Sequence, residues 1–330
     1  MTTKDEVIAV LSESGGYVSG EKISERLGIS RTAINTAVKS LRAEGYVIDS
    51  STNKGYALSH SPDTVSCGML SLYLGKERAE NITCLDCVDS TNNYLRKSAL
   101  DGAESGHVVI AESQTAGRGR LGKSFASPAG KGVYMSLLLR PQNVTAEEVS
   151  SVSAWVASAI HNAVFAACGV RTGIKWVNDI TLGSKKLCGI LTEMSIESET
   201  KRIQYMIVGI GVNVNEDEAD FPEEYRGIAT SLHIHTKEKF DRAKLAAEMI
   251  KSLDALAADL PHNKQPYLDT YRKYNVTTGK DVRLISLSGD SVGYAVDITD
   301  DFGLRVRSEN GEEKTVHSGE VSVRGLYGYV

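Results

Sequence analysis

The chain has 330 residues, of which 41% are hydrophobic and 24% are charged, a balance that excludes a disordered chain. The length allows roughly two to three domains. The 37 Lys and Arg residues against 42 Asp and Glu residues give a net charge of −5, which excludes a generic binder of polyanions and requires any nucleic-acid surface to be local.

The first 60 residues predict three short helices. Thr3 and Glu6 have the spacing of a capping box, which predicts the start of the first helix. A second helix is expected over residues 19–27, and Gly28 makes the turn to a third helix that begins after Ser30. Apolar residues follow one face of the third helix, at Ala33, Ile34, Ala37, Val38 and Leu41. Helix, glycine turn and helix are typical of a helix-turn-helix.

A β-hairpin is expected next, over residues 46–48 and 56–58, and it makes the unit a winged helix-turn-helix. Residues 30–56 carry four basic and two acidic side chains, although residues 1–60 are neutral overall. We expect this positive region to bind DNA through Ser30, Arg31, Thr32, Asn35, Lys39 and Lys54. The alternative is a small helical domain that contacts another protein.

The remainder of the chain predicts two further domains, and the protein as a whole is α+β. After a polar linker at residues 59–63, the pattern predicts one mixed sheet with helices on a face. Strands are expected at residues 108–112, 133–139, 172–176, 189–195 and 204–212, and helices at 94–100, from a Thr145/Glu148 capping box to Gly169, at 240–260 and at 266–274. From Asn275, five or six short strands alternate with turn residues and indicate a small barrel. The expected domains are therefore 1–60, 65–274 and 275–330.

The strongest chemical signal is the run from Gly117 to Lys123, which alternates glycines with cations just after a predicted strand. Glycine lets backbone N–H groups approach an anion closely, and arginine offers paired donors to a phosphate or carboxylate. The run is interpreted neither as a Walker A loop nor as a dinucleotide fingerprint, because no helix is predicted to open at its last glycine. A solvated basic surface loop is the alternative.

Four weaker clusters accompany this Gly-Arg loop. They are Asp89-Ser90-Thr91-Asn92-Asn93, Lys175-Trp176-Val177-Asn178-Asp179, residues 183–191, and Gly209-Ile210-Gly211-Val212-Asn213-Val214-Asn215. Taken by itself, each cluster can be explained by a structural role, as a helix cap, a strand end, a hairpin tip or a tight turn. Ser90 is expected to cap the next helix, which leaves Thr91 and Asn92 to bind a neutral polar ligand.

In this order, the five segments resemble those of the bacterial bifunctional biotin–protein ligases, which also repress the biotin operon. The resemblance covers essentially the whole chain. It implies a central domain similar to class II synthetase catalytic domains and a C-terminal SH3-like β-barrel. It also implies that biotin and ATP form biotinyl-5′-AMP, which then modifies a lysine of a biotin carboxyl carrier domain.

The resemblance also implies the site residues. For biotin they are Ser90, Thr91, Asn92, Gln114, Gly117, Arg118, Gly119, Arg120 and Lys186. For ATP they are Arg120, Lys123, Phe125, Asn178, Asp179, Asn213 and Arg324, with Asp179 as a possible ligand of Mg²⁺. Lys186, Arg118 and Arg120 would be catalytic, because cations reduce the repulsion between a biotin carboxylate and the α-phosphate of ATP.

A regulatory role follows from the same resemblance. The adenylate would promote a homodimer that binds a palindromic operator. Two other functional classes remain, an effector-binding repressor without ligase activity and a ligase for lipoate or octanoate. The presence of Lys186 disfavours the first class, and polar Ser90 and Gln114 disfavour the second, because an aliphatic acid needs no polar head-group site.

Other signals carry less weight. Cys84 and Cys87 form a CxxC pair, but zinc is not expected without a second pair or a nearby His. His233 and His235 are expected on the surface. The chain has no run of about 18 apolar residues and no signal-peptide core, and its five Cys are sparse, so we expect a reduced cytoplasmic protein with no membrane partner.

Overall fold

The computed structural model describes residues 1–142, 144–200, 202–286, 289–317, 322–325 and 329, without the side chains of Leu121, Ser286, Ser322 and Arg324. Residues 1–60 form three helices and a hairpin. The elements are α1 (Thr3–Ser14), α2 (Gly20–Leu27), α3 (Arg31–Ala43), β1 (Val47–Ser51) and β2 (Gly55–His60). The predicted helix-turn-helix and the hairpin after it are therefore both present.

Side-chain caps determine where these helices begin. The Ser30 hydroxyl accepts the backbone N–H of the third residue beyond it and caps α3, as predicted. The prediction for α1 was wrong by one residue, because its cap is Thr2 and not Thr3. Thr2 and Asp5 exchange the two bonds of the capping box, since Asp5 rather than Glu6 stands three residues beyond the cap.

The hairpin packs against the helices at Gly55, where φ is +94°. A Cβ on Gly55 would lie 2.0 Å from the carbonyl oxygen of Val18, so only glycine fits this turn. Val18 and Tyr56 exchange backbone hydrogen bonds of 2.8 and 2.9 Å. The core beneath is formed by buried residues of all three helices, among them Ile8, Leu11, Ile23, Ile34, Val38 and Leu41.

A seven-stranded mixed sheet forms the centre of the chain. Its strands are β3 (Ile82–Leu85), β4 (Val108–Ala111), β5 (Val133–Leu139), β6 (Gly173–Lys175), β7 (Asp179–Leu182), β8 (Lys185–Ile196) and β9 (Ile203–Val212). The order across the sheet is β3-β4-β5-β9-β8-β7-β6, with β3 and β4 parallel and the other neighbours antiparallel. The helices of this region are α4 (Cys67–Leu74), α5 (Lys76–Glu80), α6 (Thr91–Leu100), α7 (Val152–Cys168), α8 (Leu232–Thr236), α9 (Arg242–Asp259) and α10 (Gln265–Tyr274).

Helices cover both faces of this sheet, which corrects the expectation of helices on one face. Helices α7, α9 and α10 pack with Val108 and Ile110 of β4 in the main core. Helix α6 packs on the opposite face, where Leu95 meets Val109. Every residue of β4 and β5 is buried, and because neighbouring residues of a strand point to opposite faces, both faces need cover.

The start of α7 also differs from the prediction. Thr145 and Glu148 do form a capping box, with the Thr145 N–H donating to Glu148 Oε2 at 2.7 Å. The helix nevertheless begins only at Val152. The reason is tertiary, because Thr145 pairs with Arg202 in a β-bridge and this contact holds the segment in an extended conformation beside the start of β9. Gly169 ends the helix in a left-handed conformation, as predicted.

Five antiparallel strands are described after α10. They are β10 (Asp281–Ser286), β11 (Gly289–Ile298), β12 (Leu304–Arg307), β13 (Glu313–Val316) and β14 (Ser322–Gly325), in the order β13-β12-β11-β10-β14. This sheet packs on the central region, where the indole N–H of Trp176 donates to the Phe302 carbonyl at 2.9 Å. Across all the described ranges, no helix has both the length and the apolar character needed to cross a membrane.

Candidate active site

A cavity of about 500 Å³ opens between β8, β9 and the Gly-Arg loop of residues 117–123. Thirteen of the fifteen predicted ligand-site residues line it, namely Ser90, Thr91, Asn92, Gln114, Arg118, Gly119, Arg120, Lys123, Phe125, Asn178, Asp179, Lys186 and Asn213. Gly117 lies beside the cavity, and a Cβ there would be 2.3 Å from the Phe125 carbonyl oxygen. The backbone of Arg324 pairs with Arg283, but its side chain lies outside the described residues.

Two glycines of β9 form the floor of this cavity. A Cβ on Gly209 would lie 2.1 Å from Asn92 Oδ1, and a Cβ on Gly211 would lie 2.5 Å from the Phe125 ring. Both residues stand inside a strand, which confirms the strand predicted over residues 204–212 and not the alternative of a tight turn. The glycines thus let two predicted ligand residues lie directly on the sheet.

One end of the cavity presents neutral polar groups. The Thr91 N–H donates to Gln114 Oε1 at 2.9 Å, and Ser136 donates to Asn92 Oδ1 at 2.6 Å. Ser90 stands at the N-cap of α6, but its side chain makes no capping bond, which corrects the predicted role. Gln114 replaces Ser90 as the acceptor for a backbone N–H at this end of the helix. The Ser90 hydroxyl is therefore not used to cap the helix.

Two arginines of the loop point to the cavity and are each held by an acceptor. Arg118 Nη1 lies 3.1 Å from Glu193 Oε1, and Arg120 Nη1 donates to Asn178 Oδ1 at 2.8 Å. The Asn178 amide in turn donates to the Ile190 carbonyl of β8 at 2.6 Å. The loop is therefore folded over the sheet and is not a solvated surface loop.

Lys186 and Asp179 form an ion pair at the other end of the cavity. Lys186 Nζ lies 2.6 Å from Asp179 Oδ1, and the Tyr329 hydroxyl donates to Asp179 Oδ2. Burial of the Asp179 carboxyl would raise its pKa, but the Lys186 charge and the hydrogen bonds from Lys186 and Tyr329 hold that pKa below its usual value. Asp179 is therefore ionised and balances one positive charge of the site.

The charges around the cavity are strongly unequal. Among the described residues that line it, five are cations and Asp179 is the one carboxylate; the cations are Arg118, Arg120, Lys123, Lys175 and Lys186. A concave site with this excess attracts anions and stabilises negative charge that develops during a reaction. The cavity thus combines an excess of cations with a group of neutral polar side chains.

Asp179 is also the predicted magnesium ligand. Both of its carboxylate oxygens already accept hydrogen bonds, from Lys186 and Tyr329. Within the described ranges, no group of three or more His, Cys, Asp or Glu side chains could hold a metal ion. This donor set does not fit a resident magnesium ion, so we derive no step through one.

The predicted DNA-binding residues lie on α3, at its N-terminal cap and on the hairpin. All six are exposed, and Arg31 and Asn35 line a groove between α3 and the hairpin. Lys54 of the hairpin lies 5.8 Å from the centre of the Tyr17 ring. Arg42, in contrast, donates to the Ile48 carbonyl at 3.0 Å and thereby joins α3 to the hairpin.

Comparison with known proteins identifies the family. Three family models match the chain: "HTH domain" over residues 3–57, "Biotin/lipoate A/B protein ligase family" over residues 84–213, and "Biotin protein ligase C terminal domain" over residues 277–324. The "Bifunctional ligase/repressor BirA" of Bacillus spizizenii is 34% identical over 325 residues, which cover 98% of this chain and 99% of that protein. The chain belongs to the family of bifunctional biotin ligase/repressors.

Two further relatives agree with this family. The protein of the same name from Escherichia coli is 30% identical over 322 residues, which cover 97% of this ligase/repressor and 96% of that protein. The solved "Biotin protein ligase from Aquifex aeolicus in complex with biotin and ATP" matches with a TM-score of 0.65 and 29% identity, over 74% of this chain and 99% of that chain.

Several residues at the site of this ligase/repressor were missed by the sequence predictions. Glu193 of β8 accepts from Asn92 at 2.8 Å and from Arg96 at 2.7 Å, besides its contact with Arg118. Lys175 lies 3.8 Å from the centre of the Tyr329 ring, and both line the cavity. A segment beyond β9 contributes further lining residues, namely Phe221, Tyr225 and Ile228. Lys175 belongs to the cluster of residues 175–179 that the sequence singled out, whereas no local pattern marks the other positions.

Proposed function

We propose that this ligase/repressor joins biotin to ATP, forms biotinyl-5′-AMP and transfers the biotinyl group to a lysine of a biotin carboxyl carrier domain. The observation that carries the proposal is the cavity that combines five cations with a group of neutral polar side chains. Biotin has a neutral ureido ring and a carboxylate, and its carboxylate has to approach a second anion, the α-phosphate of ATP. The excess of positive charge offsets that repulsion.

The proposed roles follow the two ends of the cavity. Ser90, Thr91, Asn92 and Gln114 bind the ureido ring, because hydroxyl and amide groups offer both donors and acceptors. Lys186, Arg118 and Arg120 stabilise the charge that develops while the biotin carboxylate attacks the α-phosphate and pyrophosphate leaves. The carrier lysine then attacks the acyl carbon of the adenylate, and AMP leaves. Gly117 and Gly119 give the loop its close backbone approach.

The nucleotide is proposed to lie along the remaining lining residues. Asn213 is buried, and its amide donates to the Thr230 carbonyl at 3.0 Å, which fixes the side chain next to the proposed adenine position. Lys123, Phe125, Asn178 and Asp179 complete this end of the cavity. Arg324 stays a prediction. Magnesium is expected to enter with ATP as part of the substrate, because magnesium is commonly held through phosphates.

A parallel assay tests the ligase proposal against its alternatives. The full chain is incubated with ATP, a carrier domain and either biotin or lipoate, and the mass of the carrier is measured. We expect a mass increase with biotin alone. Modification by lipoate alone would support the lipoate-type ligase, and no modification by either acid would support a repressor without ligase activity.

We further propose that the N-terminal unit binds operator DNA and represses transcription in response to biotin. The exposed Arg31, Asn35 and Lys39 on α3, together with Lys54 on the hairpin, support this role. An electrophoretic shift with operator DNA, measured with and without biotin and ATP, tests it. We expect tighter binding with both compounds and weaker binding at higher salt. A shift that ignores salt and biotin would contradict the proposal.

The architecture is proposed at finer detail as well. We divide the chain into residues 1–60, 65–274 and 275–330, with a central domain similar to class II synthetases and a C-terminal SH3-like barrel. The five antiparallel strands after α10 support the barrel.

A homodimer that forms when the adenylate binds would match a two-fold operator. A repressor that meets operator DNA and ATP is expected to work in the cytoplasm.

A further inference from the structure

Two cysteines meet where the helix-turn-helix unit joins the central sheet. Cys67 is the first residue of α4, and Cys84 lies in β3, 17 residues further along the chain. Their sulfur atoms are 2.6 Å apart. This distance is well inside van der Waals contact and about 0.6 Å longer than the S–S bond of a disulfide.

The surroundings give the two thiols different properties. Cys67 is buried and its sulfur also contacts the Ile82 carbonyl at 3.4 Å, whereas Cys84 is half-buried. The hydrogen bond with Cys84 lowers the pKa of Cys67, and the same contact raises the pKa of Cys84 above its usual value. Two sulfur atoms in contact can pass from a sulfenic acid on one of them to a disulfide, because the second sulfur is already in place to attack the sulfenic acid.

The pair lies directly below the DNA-binding unit. The N–H of Gly68, the next residue of α4, donates to Asp5 Oδ1 of α1 at 3.2 Å. A Cβ on Gly68 would lie 2.5 Å from Ile8 Cγ2 and 2.7 Å from the Asp5 carbonyl oxygen. Helix α1 therefore rests on the first turn of α4, and any bond at Cys67 acts on the element that supports the helix-turn-helix.

We propose that Cys67 and Cys84 form a reversible disulfide that ties α4 to β3 when a peroxide is present. Cys67 loses its thiol proton, its sulfur attacks one oxygen of hydrogen peroxide, the O–O bond breaks, and the hydroxide that leaves takes that proton to become water. The Cys84 sulfur then attacks the Cys67 sulfenic acid, the S–S bond forms, and the second oxygen leaves as water with the Cys84 proton. Two thiols and one peroxide thus give one disulfide and two waters.

The sequence offers a different neighbour for Cys84, although the CxxC spacing carries little weight. Cys84 and Cys87 form the CxxC pair, and Cys87 is exposed. The structure instead brings Cys84 to Cys67, which no motif connects to it. These two pairings are mutually exclusive, because one sulfur forms one disulfide, so they can be separated by mapping the bond.

Peptide mapping of the full chain tests the proposal. The reduced protein is treated with hydrogen peroxide, its remaining thiols are alkylated, and a digest without reductant is analysed by mass spectrometry. We expect a peptide that joins Cys67 to Cys84, a mass loss of about 2 Da, alkylation of the other three of the five cysteines, and reversal by dithiothreitol. Cys87→Ser is the matched control and should keep the bond. A Cys84–Cys87 bond, or oxidation of Cys87 while Cys67 is still alkylated, would overturn the proposal.

Hydrogen exchange tests the structural consequence on the same samples and needs no variant that has to fold. We expect the amides of α4 to exchange at least about tenfold more slowly in the oxidised protein, because the bond removes local opening of this helix. Dithiothreitol should restore the faster exchange. Equal exchange in the cross-linked and the reduced protein would show that the bond does not tie α4 to the sheet, and would overturn that part of the proposal.

Discussion

Single side chains of the site are held in place by acceptors before any ligand binds. Asp179 holds Lys186, Asn178 holds Arg120, and Glu193 holds Arg118. A donor that is already oriented needs no reorganisation when charge develops on the substrate, and this is why preorganised donors stabilise a transition state. Replacement of Lys186 and of Glu193 therefore tests one donor to the substrate and one acceptor that orients such a donor.

Replacement of Lys186 by alanine tests the donor. We expect Lys186→Ala to lower the rate of adenylate formation by about 10²–10³-fold, because one transition-state donor is lost. Biotin-dependent exchange of pyrophosphate into ATP measures this step. Lys185→Ala is the matched control, because the Lys185 ammonium donates to the Arg226 carbonyl and does not line the cavity, so this variant should retain near-normal exchange. Near-normal exchange in Lys186→Ala would contradict its role.

Replacement of Glu193 by glutamine tests the acceptor that holds Arg118. The neutral amide should weaken the contacts with Arg118 and Arg96 and let the Asn92 amide turn. We expect the KM for biotin to rise about tenfold, in line with one weakened charged hydrogen bond, while kcat changes less. Glu199→Gln, at an exposed position beyond β8, is the control. The reverse pattern, a large fall in kcat with an unchanged KM, would show that Glu193 does not position the biotin end.

At the scale of elements, β9 decides the shape of the cavity. The strand has glycine at the two positions where the Asn92 side chain and the Phe125 ring lie on it. The loop and α6 can therefore approach the sheet more closely than they could over residues with side chains. The position of the whole Gly-Arg loop relative to the sheet depends on this free space.

Replacement of Gly211 by alanine tests this close approach. A strand accepts alanine, but the Cβ would meet the Phe125 ring at 2.5 Å and displace it. We expect biotin and ATP to bind about 10–100-fold more weakly, as an overpacked site costs about 1–3 kcal/mol. Titration calorimetry measures both ligands. Gly16→Ala is the control, because its Cβ would meet nothing within 4 Å and Gly16 lies outside the cavity. Unchanged affinities in Gly211→Ala would contradict the claim that Gly211 leaves the space that the Phe125 ring needs on β9.

At the scale of the whole molecule, one buried arginine connects the linker, the sheet and α9. Arg242 is fully buried, and its guanidinium donates to Asp63 of the linker at 2.9 Å, to Glu112 at 2.9 Å and to the Gly132 carbonyl at 3.1 Å. The Asn215 amide also donates to Asp63, at 2.8 Å. The linker to the helix-turn-helix is thus bound to the central domain through Asp63. One of the residues that bind Asp63, Asn215, lies two residues beyond Asn213 of the cavity.

Removal of this guanidinium should destabilise the protein as a whole. Arg242→Ala leaves Asp63 and Glu112 without their cation, and breaking such a pair costs about 3–5 kcal/mol. Urea unfolding measures the free energy. Lys244→Ala, on the exposed side of the same helix, should stay within about 0.5 kcal/mol of the parent. A similar small effect for Arg242→Ala would show that the network does not stabilise the fold.

A buried carboxyl should make stability depend on pH. Burial raises the pKa of Glu216 to about 7, although hydrogen bonds from the backbone and from Tyr134 oppose this. The folded protein therefore keeps a proton that the unfolded chain loses above pH 4.5, so this group lowers the free energy of unfolding as the pH rises from about 4.5 to about 7. The loss is on the order of 3 kcal/mol.

Replacement of Glu216 by glutamine should remove this dependence. We expect Glu216→Gln to be more stable than the parent at pH 8 and close to it at pH 5, in urea unfolding at both pH values. Glu218→Gln, at an exposed position nearby, should keep the slope of the parent. Parallel slopes for the parent and Glu216→Gln would refute the buried, protonated carboxyl.

The predictions from sequence succeeded where the deciding residues are neighbours in the chain. The cap at Ser30, the end of α7 at Gly169 and the buried strand β5 each depend on a few consecutive residues, and all three are present as expected. The Gly-Arg loop was also recognisable, because its glycines and cations alternate within seven residues.

Only the tertiary structure decided which partners the polar groups take. Ser90 has the sequence of a cap, yet Gln114 holds the helix end, and Glu193 reaches Arg118 from 75 residues away. The same holds for Thr145, which a distant bridge keeps out of α7, and for Cys84, whose sulfur meets Cys67. Partners that are close in sequence and partners that are distant in sequence compete for the same hydrogen-bonding group. The partner that binds it is the one that lies within reach in the folded chain, and the spacing of residues along the sequence does not specify those distances.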